Sequence, residues 1–274
     1  MTRTDRGAAA ILFSMASNTD TDASRRGSKG SISRLAIAGF ALSLLAILAA
    51  MGAGVGTRTG GWDFRQGFTI LRWAAWLGAV GACLSLGGAI LARPGRGRRG
   101  LLLAVTGIVL GGLAFGVPAN RYRIAQQVPR IHDVTTDTEN PPRFVSILPL
   151  RKDAPNPAEY GGPEIAAQQR AAYPDIRPLE VGIPPPEAYR RALATARRMG
   201  WRIVDADEED GRIEAVATTR WVGFKDDVVI RIDRSARPGS RVDVRSVSRV
   251  GISDVGANAC RIRAFLAKFK PASP

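Results

Sequence analysis

The densest group of side chains that could bind or transform a ligand lies near the C-terminal end of the chain. Within the run SRVGISDVGAN, residues 248–258, hydroxyl, carboxylate, amide and guanidinium groups alternate with Val and Gly. Such a strand-to-helix corner can bind an anion, because the first N–H groups of a helix point at the ligand. The same residue types also form turns and cap helices. The candidate ligand-binding residues are Arg245, Ser248, Arg249, Ser253, Asp254 and Asn258.

Arginines on the preceding strands favour the same class of ligand. Guanidinium groups recognise carboxylates and phosphates bidentately, so a sheet face that carries them would suit an anionic lipid, glycan or protein partner. The alternative is a solvated face in which Glu214, Asp233 and Asp243 pair with the arginines across the strands. The arginines in question are Arg212, Arg220, Arg231, Arg241, Arg245 and Arg249, depending on register.

Three further side chains are secondary candidates. Asp226 and Asp227 are adjacent in GFKDD, and neighbours in an extended chain point to opposite faces, which disfavours a paired acid and base. His132 precedes Asp133 and is the only histidine, so it is conceivable as a general base or metal ligand, although the sequence offers no second ligand nearby. No catalytic residue, metal site or cofactor is predicted.

Hydrophobic periodicity defines the elements that position these residues. Residues 187–199 carry an apolar helical face between Pro186 and Gly200, which predicts an amphipathic helix. Period-two alternation at residues 201–205, 212–221, 228–232 and 242–250 predicts four antiparallel strands. Asn258, as N-cap, begins a last helix that ends near Phe269. Residues 187–274 are therefore predicted to form an α+β domain whose antiparallel four-stranded sheet is covered by helices on one face.

Eleven of the 17 prolines lie between residues 140 and 186. Regular helices and central strands do not tolerate that density. Residues 119–186 are therefore predicted to form an extended strap or linker, with one short helix around residues 164–172.

Three uncharged apolar segments precede this strap, at residues 35–56, 73–92 and 101–118. At about 1.5 Å per residue, the first two can cross a hydrocarbon core of about 30 Å. The third is shorter at 18 residues but equally free of charge, and the adjacent pair of spans would help it to insert. Residues 35–118 are therefore predicted to form three transmembrane helices. Gly and Ala recur at four-residue spacing in these segments, which favours close helix packing and leaves a homo-oligomer through these faces possible. A buried helical hairpin of a soluble protein is the alternative.

Basic residues next to the spans indicate their orientation, because cytoplasmic loops retain Lys and Arg. The loop after the second span carries Arg93, Arg96, Arg98 and Arg99, and the polar tail, residues 1–34, is also basic before the first span. Both are predicted to be cytoplasmic. Three spans of the inner (plasma) membrane then place the domain after Pro118 outside the cytoplasm, which means the periplasm if the cell is a Gram-negative bacterium. A cleaved signal peptide is the rival interpretation of the first span and leaves this domain external.

The net charge of +15 is unevenly distributed. Residues 1–118 hold 13 basic and 4 acidic residues, whereas the remainder holds 26 and 20. Much of the excess therefore belongs to the flanks of the spans. Because the arginine-rich strands also lack interleaved aromatic residues for base stacking, no nucleic-acid partner is predicted. The mean hydropathy of −0.03 averages a membrane region with a polar domain.

The order of three motifs resembles a known family. GFKDD, then RSVSRVG, then SDVGAN are similar to the bacterial and plastid family called domain of unknown function 1499, over roughly residues 129–270. The run HDVTTDTENPPRF, residues 132–144, resembles the long members with three N-terminal transmembrane helices. Short members carry Asn-Cys-Val near this point, but here Asn140 is followed by Pro141, so no role for that cysteine is implied. The resemblance implies a fold unit and an envelope location, and no activity.

These features predict a membrane-anchored cell-envelope protein whose external domain binds an anionic lipid, glycan or protein partner, with the lipid bilayer as a further partner. An envelope hydrolase that uses Asp254 or His132 is one alternative. A structural or assembly factor that acts through its membrane helices is the other. Whether the protein is an enzyme is left open, with a binding role favoured.

Overall fold

The computed structural model describes residues 31–94 and 99–270. These residues form two compact units, of which one comprises residues 31–50 and 72–116 and the other residues 51–71 and 117–270. The predicted cytoplasmic tail up to residue 30 lies outside the described residues, as do Arg96 and Arg98 of the basic loop.

Three long helices correspond to the predicted spans. They are α1 (Arg34–Thr59), α2 (Phe64–Leu91) and α3 (Leu101–Ala125), and each is long and apolar enough to cross a membrane. The prediction of three candidate membrane helices is therefore confirmed. Helix α3 continues beyond the predicted end at Pro118, which lies inside the helix. Membrane helices tolerate proline because neighbouring groups satisfy the freed carbonyl.

Small residues determine the packing within the first unit. A Cβ atom on Gly78 would lie 2.6 Å from the Cβ of Ala114, and one on Gly107 would lie 3.0 Å from the Cα of Phe40. Both distances are too short for a side chain, so the helix backbones approach one another closely at these glycines.

The second unit contains one antiparallel sheet in the order β1-β6-β5-β4-β3, with β2 also paired to β6. Its strands are β1 (Asp133–Thr135), β2 (Leu179–Val181), β3 (Arg202–Asp207), β4 (Arg212–Thr218), β5 (Lys225–Arg234) and β6 (Ser240–Ser248). The prediction of four strands is wrong, because the sheet has six. The two additional strands are three residues long and lie in the predicted strap, residues 119–186, where no alternation is long enough to reveal them. Both pair with the edge of β6 that β5 leaves free.

Buried apolar residues occupy both faces of this sheet. Four helical elements accompany it: a 3₁₀ turn (Leu148–Arg151), α4 (Gly162–Ala172), α5 (Pro185–Arg198) and α6 (Ala257–Phe269). The larger core joins strand residues such as Ile213 and Ile230 with Ala192 of α5 and Phe265 of α6.

A second, smaller core lies against the other side of the strands. It joins Phe144 and Ile147 with Val216, Val229 and Val247. Val216 alternates with the residues of the larger core along β4, so it points to the opposite face. Residues 137–160, called the covering segment below, therefore pack on the face that carries the arginines.

Two local predictions are wrong. Strand β4 ends at Thr218, so Trp221 is not on the core face; the backbone N–H of Thr219 donates to the carbonyl of Phe224 and closes a turn instead. Asn258 is not the N-cap of α6, because that helix begins at Ala257 after Gly256. The φ of Gly256 is +79°, a left-handed conformation that favours glycine and sets the start of the helix.

Candidate functional site

Arg245, a predicted ligand-binding residue, lies beneath the covering segment with only 2% of its surface exposed. Its Nε and Nη2 atoms donate to the two carboxylate oxygens of Asp133 at 3.0 and 2.7 Å. Nη1 and Nη2 also donate to the carbonyl oxygens of Pro142 and Ala158, at 3.1 and 2.7 Å. Burial raises the pKa of Asp133 even though Arg245 opposes that effect. Four of the five guanidinium N–H groups are therefore occupied within the domain.

Arg249 lies on the same face and shares a carboxylate with Arg151 of the covering segment. Its Nε and Nη2 atoms donate to the carboxylate of Asp227 at 2.9 and 2.7 Å. Arg151 donates to the same carboxylate and, at 2.9 Å, to the carbonyl of Asn156. Asp227 is fully buried. Two guanidinium groups thus neutralise one buried carboxylate and attach the covering segment to β5.

Glu214 holds the covering segment at a second point. Its buried carboxylate accepts hydrogen bonds from the backbone N–H groups of Val145 and Ile147, both at 2.8 Å. Nη1 of Arg212 donates to it at 2.6 Å and to Asp205 at 2.8 Å. An ionised acceptor gives strong hydrogen bonds, so this glutamate fixes the backbone of residues 145–147 above β4.

Asp243 and Asp137 form a third such group with two arginines. Arg231 donates to both carboxylates, at 2.9 and 3.1 Å. Arg241 also donates to both, at 2.9 Å to Asp243 and 2.7 Å to Asp137. Burial acts to raise the pKa of Asp137, but hydrogen bonds from the backbone of residues 139 and 140 and the charge of Arg241 outweigh it and hold this pKa below its ordinary value.

The polar corner before α6 is occupied by its own side chains. The carboxylate of Asp254 accepts from the backbone N–H groups of Gly256 and Asn258 at 2.8 and 2.7 Å, so it takes the place at the helix start that an anion would need. Burial raises the pKa of Asp254 against these two hydrogen bonds. The amide nitrogen of Asn258 donates to the carbonyl of His132 and to the hydroxyl of Ser248, at 2.9 and 3.0 Å.

The remaining candidates lie around this corner. The Ser253 hydroxyl donates to the carbonyl of Pro129 at 3.3 Å. Asp226 accepts from Arg261 of α6, whereas Asp227 faces the covering segment, so the two carboxylates lie on opposite sides of the sheet. The fold thus brings Ser248, Asn258 and the backbone of His132 together and leaves Arg245 in a separate group with Asp133.

The covering segment borders two clefts, of about 430 and 280 Å³, which meet at Arg143. The side chain of Arg143 is exposed and makes no hydrogen bond or ion pair with any residue that the structure describes. The larger of these two is called the Arg143 cleft below. Arg245 is part of its lining, and the Cζ atom of Arg245 lies 5.2 Å from the ring centre of Phe144 and 5.5 Å from that of Tyr160. Its lining includes Glu139, Asn140, Arg143, Phe144, Glu159, Tyr160 and Arg245.

Tyr160 contributes a second free polar group to this cleft. Its hydroxyl is buried and has no hydrogen-bond partner among the described residues. Burial, followed by the charge of Asp133, raises the pKa of Tyr160 to about 12, so the hydroxyl stays protonated at neutral pH. It is therefore available as a hydrogen-bond donor to a ligand.

Arg143 and Tyr160 do not appear among the sequence-predicted site residues. Both lie in the proline-rich segment, which the sequence describes only as extended. The one available signal is an isolated arginine in PPRF, without an acidic residue within three positions on either side. That pattern contrasts with the strands, where carboxylates alternate with the arginines.

Within residues 31–94 and 99–270, no group of three His, Cys, Asp or Glu side chains is placed to hold a metal ion. The model of a protein family described as "Protein of unknown function (DUF1499)" matches residues 133–269. This range includes the covering segment and all six strands. No curated protein matches the chain.

Proposed function

Because the chain belongs to the DUF1499 family of proteins of unknown function, we propose a function from its own geometry: a membrane-anchored binding module that holds a carboxylate-bearing glycan or peptide of the cell envelope in the Arg143 cleft. The observation that carries this proposal is the free guanidinium of Arg143 between two clefts. The neighbouring arginines of the sheet face are neutralised by carboxylates of the same domain.

The chemistry of the lining supports this class of ligand. Arg143 can accept a carboxylate bidentately, and the protonated Tyr160 can donate a further hydrogen bond. Glu139 and Glu159 at the same cleft suit the amines or hydroxyls that accompany a carboxylate in wall-derived glycopeptides. Phe144 and Leu148 provide an apolar surface for a sugar ring or an alkyl chain. The six predicted residues keep a supporting role here: Arg245 lies beneath the cleft, Arg249 pairs with Asp227, and the other four hold the corner before α6.

The proposed location of the domain is outside the cytoplasm of a cell whose inner membrane holds the three helices. The support is the arginine excess between α2 and α3, which favours a cytoplasmic position for that loop. The N-terminal tail then lies on the same side, and the domain after α3 lies on the other.

Binding of a soluble muropeptide to the purified full-length protein tests this function. Arg143→Ala should weaken binding about tenfold or more, because a charge-assisted hydrogen bond contributes about 1.5–3 kcal/mol and 1.4 kcal/mol is one decade in affinity. Isothermal titration calorimetry in detergent measures the change.

Arg202→Ala is the matched control, because Arg202 is an exposed arginine on β3, away from the cleft. The control should bind as the parent does. If the parent does not bind the muropeptide, or if Arg143→Ala binds it equally well, the proposal is wrong. Conversion of the muropeptide during the titration, detected by mass spectrometry, would favour the hydrolase alternative instead.

A further inference from the structure

One end of the sheet gathers the chain connections that lie near the membrane helices. Asp226 pairs with Ser248 and Asp133 with Val247, so β5 begins where β6 ends and where β1 begins. The connections at this end are residues 126–132 from α3 to β1, 219–224 between β4 and β5, and 249–256 between β6 and α6. The backbone N–H of Asp254 donates to the carbonyl of Ile131 at 3.1 Å, which joins two of them directly.

The connection 219–224 packs against the hairpin between α1 and α2, within the same compact unit. Nη1 of Arg58 donates to the carbonyls of Thr219 and Arg220 at 3.0 and 2.6 Å. The ring of Phe224 lies 6.0 Å from that of Phe64 and 6.0 Å from that of Phe68.

Trp221 packs so tightly on Gly54 of α1 that a Cβ there would overlap its indole ring. Gly54 lies five residues before the end of α1, or about 8 Å along the helix axis. Trp is enriched at that depth of a membrane-spanning helix. The contact with Gly54 thus joins this end of the sheet to the last turns of a candidate membrane helix.

Large apolar side chains at this end are exposed although they belong to a folded domain. Ile252 is 76% exposed, Trp221 46% and Val255 39%. Val255 also has a φ of +53°, a conformation that is costly for a β-branched residue and that the other described non-glycine residues do not adopt. A valine in such a position is neither buried nor conformationally favoured, which points to a contact outside the domain.

The charges around these residues complement an anionic surface. Arg130 and Arg220 are exposed on the connections 126–132 and 219–224, and Lys225 is exposed at the first position of β5. Juxtamembrane basic residues attract anionic phospholipid headgroups, and apolar side chains beside them can enter the boundary between headgroups and acyl chains.

We propose that the connections 219–224 and 249–256 form a bilayer-contacting surface, in which Ile252 and Val255 enter a membrane that carries anionic headgroups. The helix hairpin positions this surface, because connection 219–224 is continuous with it through Arg58, Gly54 and Phe224. The inference does not rest on the Arg143 cleft, which is lined by other residues.

Fluorescence of a probe attached to the full-length protein tests this surface. Cys83→Ala and Cys260→Ser remove the native cysteines, and Ile252→Cys then provides the single thiol to which the fluorophore NBD is attached. The labelled protein is reconstituted into phosphatidylcholine vesicles with or without phosphatidylglycerol. The NBD emission should shift to shorter wavelength, and lipids that carry a doxyl group high on the acyl chain should quench it. Quenching should be stronger when phosphatidylglycerol is present.

The matched control carries NBD on a cysteine introduced by Ala236→Cys. Ala236 is exposed in the β5–β6 turn at the opposite end of the sheet. NBD at this position should remain unquenched. Val255→Asn, in which asparagine tolerates the left-handed backbone, should keep the fold and reduce quenching at position 252. Equal, weak quenching at positions 252 and 236 would overturn the proposal. Equal quenching at position 252 with and without phosphatidylglycerol would overturn the proposed role of anionic headgroups.

Discussion

At the scale of single residues, the arginines of the sheet face hold the domain together. Three groups of ion pairs join guanidinium groups to largely buried carboxylates. They are Arg245 with Asp133, Arg249 and Arg151 with Asp227, and Arg212 with Glu214. Breaking a buried pair by removing one partner is strongly destabilising, because the remaining charge is left without compensation. Arginines that recognise a ligand need free N–H groups, and Arg143 has them.

Arg245→Ala should therefore lower the free energy of unfolding of the domain by about 3–5 kcal/mol. The buried carboxylate of Asp133 would lose its two hydrogen bonds from the guanidinium. Thermal unfolding of the full-length protein, followed by near-ultraviolet circular dichroism, measures the effect.

The double variant Asp133→Leu with Arg245→Met is the informative companion. It removes both charges and keeps an apolar volume, so it should recover much of the lost stability. A double variant that is less stable than Arg245→Ala alone would show that the geometry of the pair, and not the uncompensated charge, determines the cost.

At the scale of elements, two largely irregular segments cover the sheet and attach it to the helix hairpin. The covering segment closes the second face of the sheet with Phe144 and Ile147 and borders both clefts. The β4–β5 connection attaches the sheet to the helix hairpin through Arg58, Trp221 and Phe224. Neither segment has a repeating pattern, because each is ordered by contacts with distant parts of the chain.

Gly54→Ala should loosen the β4–β5 connection, because its Cβ would overlap Trp221. Trypsin should then cleave after Arg220 several times faster than in the parent protein. Gly52→Ala is the matched control, since no heavy atom lies within 4 Å of the added Cβ and alanine is the better helix former by about 1 kcal/mol. Equal cleavage rates in both variants would contradict the proposed packing role of Gly54.

At the scale of the whole molecule, charge and hydropathy are divided between two kinds of structure. The three candidate membrane helices concentrate apolar residues, and the loop between α2 and α3 concentrates arginines. The arginines of the sheet face are paired with carboxylates of the same domain, so the net charge of +15 overstates the attraction of this face for anions. We interpret the excess of basic residues in residues 1–118 chiefly as an indication of which loops are cytoplasmic.

The proposed orientation predicts which side of the membrane each loop faces. In the variant without native cysteines, Ala236→Cys should react with a membrane-impermeant maleimide in intact spheroplasts. Arg93→Cys should react only after permeabilisation. Labelling of both positions from the same side would contradict a three-span topology with an external domain.

The sequence by itself determined the three candidate membrane helices, the α+β class with an antiparallel sheet, and the family. These properties follow from composition and periodicity over 10–20 neighbouring residues, and motif order carries the family. The tertiary structure alone decided that β1 and β2 join the sheet, that Arg245 faces Asp133 and that Arg143 remains free. Asp133 and Arg245 are 112 positions apart, and no local pattern encodes which carboxylate reaches which arginine. Such pairings are fixed only when the strands align and the covering segment closes over them.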